Sequence, residues 1–409
     1  MTLGNNTVNI DSCVFFISLI QQIAAPAIAG TALPLTFPIL FMQVIMKRAF
    51  PRGLSVYLDL VRFGAASIVV LSHLWALLLP AHPLPWPGHA AVVVFFVLSG
   101  FVIAHAARPE LGLRGYLHHR IARIYPVVLG AVLLSIALAV GGTATMQYAG
   151  TRGSDALDVA LNATFLAQTW ANVALPYNGP FWSLNYEVWY YVLFGIWCYH
   201  PSRLLLVCAV LLAGPKILLL MPVWLLGVWL QRRMTVLGRG TAWRLFLLTL
   251  AVGLAFIWVD VGARIREVMR AAWPDAMELT RGSNQFVGDF LLGLVVALNF
   301  LAAGSLRMDW LLKCEKAIRY LSSYTFSMYV FHMPLVVLIW NGLGVRSGPA
   351  FIGLLLAGIV VMGELTERRT QWYRKVLAPL FTPARAGRAA AQGTMADPLC
   401  EPGDERSMP

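Results

Sequence analysis

The sequence predicts an all-α, polytopic integral membrane protein with about ten core transmembrane helices and one additional helix near the N-terminus. Composition is the first observation behind that prediction. Of 409 residues, 59% are hydrophobic and only 12% are charged, against about 25% charged in a soluble domain. The second is that apolar residues come in long blocks. Residues 123–140 carry no charge after Arg123, 286–303 carry only Asp289, and 320–345 carry none. Runs of about 18 or more such residues read as membrane spans. The third is the placement of the basic residues, which sit in short connections between the apolar blocks. The net charge of +12 therefore serves membrane orientation rather than nucleic-acid binding.

Taken in order, the spans are expected at about 58–80, 88–107, 124–140, 182–199, 203–214, 217–231, 243–259, 286–303, 322–342 and 349–365. The fifth and sixth are short and interrupted by Pro215 and Pro222, which makes a kinked pair an alternative. Upstream, residues 13–46 form a charge-free apolar stretch broken by Gln21, Gln22, Pro26, Pro34 and Pro38. Residues 1–12 contain no Lys or Arg, so the basic start of a signal peptide is missing. An extra spanning helix is the expected reading, and an upstream mis-start of the chain is its alternative. The expected organisation is thus an N-terminal extension (1–53), a membrane domain (54–378) and a polar, Pro-rich, disordered tail (379–409). The five cysteines are scattered singly, without CxxC spacing or a histidine at ligand spacing. They suggest neither a disulfide framework nor a metal site.

Orientation follows from the same pattern. If the segment before Leu58 is cytoplasmic, the loops on that side carry 23 of the 31 Lys and Arg, and the opposite loops carry seven. That asymmetry places the 108–123 loop and the C-terminus in the cytoplasm.

Polar groups inside the hydrocarbon are costly and mark candidate sites. The first core span holds Asp59, Arg62 and His73. An i,i+3 ion pair explains Asp59 and Arg62 most simply. His73 lies about 22 Å past Leu58, in the half of the membrane away from the cytoplasm. Arg62 and His73 are about three turns apart, so they share a helix face at a separation of about 16 Å. One elongated ligand can touch both, with its anionic end on Arg62 and its reacting end at His73. A buried histidine is a competent general base when a carboxylate tunes it, and a purely structural role is the alternative. Arg120 and Arg123, one turn apart at the mouth of the third span, suit phosphate groups, with topology as their simpler explanation. In FWSLNYEVWYY, Ser183 is placed to cap a helix and Glu187 lies one turn inside. Glu187 shares the depth of His73, so it is the natural carboxylate to orient an imidazole or a sugar hydroxyl. His332 and Pro334 fall mid-span, where a kinked, satisfied histidine is the bland reading.

Together these segments resemble the acyltransferase family 3 membrane proteins, which O-acylate bacterial surface carbohydrates and some small molecules. Four ordered places carry the resemblance. LDLVRFGAASIVVLSH holds an Arg and a His with ten residues between them (Arg62, His73). VVVFFVLSGFVIA is similar to the FF-x-LSGF-x-I helix, HHRIARIYP holds R-x-x-R (Arg120, Arg123), and FWSLNYEVWYY holds W-S-L-x-x-E (Ser183, Glu187). Weaker echoes are SSYTFSMYVFHMP and LTERRTQWY. In the latter, Arg-Arg-Thr follows Glu367 where the family often has Lys-Pro.

The resemblance, over about residues 54–378, implies acyl transfer to a hydroxyl without a tightly bound cofactor or metal, in the bacterial inner membrane. The donor would be cytoplasmic, an acyl-CoA, and the acceptor a carbohydrate or lipid-linked molecule. On this reading His73 and Glu187 are catalytic, and Arg62, Arg120 and Arg123 bind the donor. Ser183 and His332 contact substrate. The competing class is a transporter or flippase, which gives no reason for Arg62 and His73 to share a face.

Overall fold

The computed structural model describes residues 51–79, 87–144, 156–200, 202–280, 282–346 and 348–381. The expected extra helix at 13–46 and all but the first three residues of the expected tail lie outside them. Among the described residues the fold is α-helical, with a single isolated β-bridge at Leu175–Asn178.

The described residues form fourteen α-helices. Helix α1 is Arg52–Leu78, α2 Gly88–Ala106, α3 Gly112–Val140, α4 Ala156–Ala163, α5 Trp182–Tyr199, α6 Arg203–Arg233 and α7 Arg239–Trp258. They continue with α8 Val261–Ala272, α9 Pro274–Leu279, α10 Phe286–Leu306, α11 Glu315–Ser322, α12 Thr325–Val337, α13 Gly348–Leu365 and α14 Thr370–Phe381. Among the described residues, eight stretches are long and apolar enough to cross a membrane. Helix α5 has the length but is diluted by Ser183, Asn185, Glu187 and its tyrosines. All ten expected segments are helical.

One boundary meets expectation and one differs. The fifth and sixth spans are the two halves of α6, a kinked pair whose break falls at Gly214 (φ 79°, ψ 170°), beside Pro215 and not at Pro222. Only glycine adopts that backbone conformation without strain, and Pro215 immediately after it starts a new helix with its φ already set. The second half of α6 runs beside α5 in the same direction. Tyr190 donates to the Ile217 carbonyl, and further along both helices Arg232 lies over the Trp197 ring. Helix α3 begins at Gly112, about three turns before the expected span. Arg120 and Arg123 therefore sit on a helix rather than in a loop.

Helix α2 is apolar nearly all round, and it packs most closely against the second half of α6. A Cβ on Gly100 would collide with the Trp224 carbonyl, and one on Gly227 with the Val97 carbonyl. Small residues let the two backbones meet, which substitutes for the hydrophobic drive that is absent between helices in lipid. Helices α7 and α13 lie outside this core with few buried residues.

Two ends of the bundle can be distinguished. Helices α1, α3 and α12 begin at the arginine-rich end. At the far end the segment 164–181 folds over the helices. Lys216, buried just past the Gly214 break, donates to the Ala171 carbonyl, and Trp170 donates to the Leu211 carbonyl at 2.9 Å. Pro334 cannot donate to the Val330 carbonyl four residues earlier. Buried Asn178 of the covering segment makes that bond instead, at 2.9 Å.

Candidate active site

The first half of α1 supplies Arg62. Its guanidinium donates to Asp59 at 2.7 Å and to Ser322 at 3.2 Å. With Arg123 of α3, Glu187 of α5, Tyr329 of α12 and Glu367, it lines a cavity of about 690 Å³ at the arginine-rich end. Glu367 accepts hydrogen bonds from the backbone N–H groups of Ser327 (2.8 Å) and Phe326 (3.3 Å). A carboxylate there caps the first turn of α12, which no side chain of its own N-cap does. That contact involves neither Arg368 nor Arg369, so it does not depend on the Arg-Arg-Thr that replaces Lys-Pro.

The second half of α1 supplies His73 to a different cavity, of about 1020 Å³, at the far end. Its neighbours there include Ser72, His89, Trp182 and Tyr329. Val92 and Tyr329 line both cavities and form the wall between them. His73 Nδ1 lies 2.8 Å from the Val69 carbonyl, one turn back. A carbonyl only accepts, so Nδ1 carries the proton and Nε2 keeps its lone pair. This fixes the tautomer that a general base requires without a carboxylate behind it. The His332 ring lies 5.1 Å from that of His73. His332 is fully buried, with Nδ1 donating to the Tyr329 carbonyl at 2.8 Å and Nε2 unpartnered. It is not the fully satisfied histidine that mid-span placement suggested.

Three expectations are corrected. Glu187 does not orient His73. It faces the arginine-lined cavity, where it accepts from Ser99 at 2.7 Å and from Tyr191. Shared depth was the basis of the expected pairing, but the α5 register directs this carboxylate toward α2 instead. Ser183 does not cap α5. Its hydroxyl meets that of Tyr329 at 2.5 Å, and the Tyr329 proton goes to the Pro180 carbonyl at 3.0 Å, so Ser183 is the donor. Arg120 does not share a cavity with Arg62 and Arg123. Its guanidinium lies over the rings of Tyr116 and Tyr191, and it lines a separate apolar cavity beside Phe165 and Trp189. A three-residue offset on a helix turns a side chain by about 60°, and Ile124 and Tyr191 fill the gap between the two arginines.

Sequence reasoning passed over the pair His89–Asp289, joined at 2.8 Å between the starts of α2 and α10. The Trp182 ring lies nearly parallel to His89, with centroids 6.2 Å apart. The available signal was Asp289 itself, the lone charge in its apolar run. Tyr329, which belongs to both cavities, gave no signal at all.

Acyltransferase MdmB of Streptomyces mycarofaciens is 31% identical to the chain over 119 residues, which is 27% of this chain and 28% of that protein. The match thus spans little more than a quarter of the relative's length. No solved structure matches the chain. A family model described as an acyltransferase domain matches residues 55–363, which include both cavities apart from Glu367. The chain belongs to the acyltransferase 3 family.

Proposed function

We propose that this membrane protein transfers an acyl group from a coenzyme A thioester to a hydroxyl of a carbohydrate or lipid-linked acceptor, with His73 as general base. One observation supports this above the others: two cavities, one lined by Arg62 and Arg123 and one by His73, share a wall of Val92 and Tyr329. The arginines suit the phosphates of coenzyme A. About 16 Å along α1 separates Arg62 from His73, a distance that an extended pantetheine arm spans. His73 Nε2 takes the acceptor hydroxyl's proton as the oxygen attacks the thioester carbonyl. The carbon–sulfur bond breaks, the ester forms, and coenzyme A leaves as the thiolate.

On this reading the arginine-rich end faces the bacterial cytoplasm, in keeping with the Lys/Arg asymmetry, and the acceptor enters from the far end of the inner membrane. Glu187 stabilises the donor side by holding Tyr191 and Ser99. The test uses purified protein in lipid nanodiscs, given radiolabelled acetyl-CoA and an extract of surface glycans. Label should enter glycan in alkali-labile form. Failure to bind coenzyme A or any acyl-CoA would sink the proposal. A reporter fused at residue 376 that is active only in the periplasm would reverse the orientation.

A further inference from the structure

The far cavity holds a second imidazole besides His73. His89 opens α2 at the cavity wall, and its Nε2 is engaged by Asp289 Oδ1 at 2.8 Å. The Asp289 side chain is 5% exposed and that of His89 is 35% exposed. The carboxylate is therefore enclosed while the ring reaches the cavity. Asp289 Oδ2 is buried with no hydrogen-bond partner among the described residues. An incompletely satisfied carboxylate inside a membrane protein is expensive, and this one is retained where it fixes an imidazole at a cavity wall. With Nε2 committed to Asp289, the ring nitrogen left for a ligand is Nδ1. His73 is arranged in the complementary sense, with Nδ1 committed to a backbone carbonyl and Nε2 left over. The Trp182 ring lies nearly parallel to that of His89 beside the same cavity.

We propose that His89, held by Asp289, is a second binding group of the far cavity that takes one hydroxyl of a ligand whose other hydroxyl lies at His73. Two imidazoles that line one cavity, each with one nitrogen fixed on the protein and one left over, select ligands bearing several hydroxyls. A mono-alcohol satisfies only one of them and leaves the other unpaired. Naming that ligand as the acyl acceptor rests on the function proposed above. His89 itself is a positioning residue, since the hydroxyl that reacts lies at His73.

The experiment compares two probes by calorimetry on the full chain in nanodiscs. One is octyl β-D-glucoside below its micellar concentration. The other is 2-octyloxyoxane, which has the same ring and tail but no ring hydroxyls. Wild type should bind the glucoside at least about tenfold more tightly. His89→Phe keeps the stacked ring but removes both nitrogens, and it should abolish most of that preference, about a 10- to 100-fold loss. Coenzyme A affinity should be unchanged, which also reports an intact fold. The double variant His89→Phe/Asp289→Asn leaves no buried carboxylate unpaired and gives the reading if the single variant loses coenzyme A binding. Equal binding of both probes by wild type, or an undiminished preference in the variants, overturns the inference. Loss of coenzyme A binding by wild type would instead strike the acyl-transfer reading, so the two failures are distinguishable.

Discussion

The two ends of the bundle hold their polar groups in opposite ways. At the arginine-rich end the charges form a chain. Arg52 pairs with Glu315 at 2.7 Å, Glu315 with Arg319 at 2.8 Å, Arg319 with Asp59 at 2.9 Å, and Asp59 with Arg62 at 2.7 Å. Each acid in that chain serves two arginines, and several members are partly solvated. In the far cavity the two imidazoles are held singly, His73 on a carbonyl and His89 on Asp289. The difference has a physical consequence. In the chain, losing one member leaves its neighbours with other partners, so the effect is spread and small. In the far cavity His73 and His89 have one hydrogen-bonding partner each, so no second partner absorbs a substitution there.

The largest effect should follow from His73→Gln. Glutamine keeps much of the volume and can still hydrogen-bond, but it cannot take up a proton. Turnover should fall about 100- to 10,000-fold, with membrane levels and coenzyme A affinity near normal. Near-normal turnover would make His73 structural and remove the chemical half of the comparison.

Next in size is a contrast between the two arginines of α3. Arg123→Ala removes a charged group from the cavity it shares with Arg62 and, on the proposed function, should weaken coenzyme A binding by about 1.5–3 kcal/mol. Arg120 lies on tyrosine rings outside that cavity, so Arg120→Ala should change donor affinity much less and thermal stability more. Calorimetry on both variants decides the matter. A larger affinity loss for Arg120 would mean the donor occupies the cavity beside Trp189 instead.

These contrasts mark how far the sequence was legible. Length and hydropathy located all ten helical segments because the bilayer imposes one constraint on every span. The shared face of Arg62 and His73 followed from helix geometry within α1. Beyond reach was the register between helices. Depth alone suggested that Glu187 meets His73, whereas the packing of α5 on α2 gives it Ser99 and Tyr191. Spacing alone grouped Arg120 with Arg123, and the intervening Ile124 and Tyr191 separate them. The break at Gly214 was half legible: Pro215 announced it, but only the φ of 79° locates the turn on the glycine before it.

A smaller effect tests the chain of charges itself. Asp59→Asn leaves Arg62 its bond to Ser322 and leaves Arg319 its bond to Glu315. Donor affinity should drop only by about 0.5–1 kcal/mol, a few-fold rise in KM with kcat unchanged. A loss as large as that of Arg123→Ala would show that the chain holds Arg62 in one required position rather than sharing its charge.

The smallest effect is expected of Glu367→Gln, where the basic end touches the helix that carries Tyr329 and His332. The Glu367 carboxylate accepts from the Phe326 and Ser327 N–H groups and adds a negative charge beside the positive end of α12. Glu367→Gln keeps an acceptor oxygen but loses the charge, so it should cost only about 0.3–1 kcal/mol of stability. Glu367→Ala orphans both N–H groups and should approach the upper range of a lost cap, about 1–2 kcal/mol. Both values are read as thermal shifts of the purified protein, with coenzyme A affinity measured alongside. The cap reading requires that stability fall from wild type through Gln to Ala while donor affinity stays nearly level. Glu367 also lines the cavity of Arg62 and Arg123, which gives the alternative a clear signature. If Glu367→Gln leaves the melting temperature unchanged but alters coenzyme A affinity about tenfold, the carboxylate acts on the donor and the first turn of α12 is held by other means.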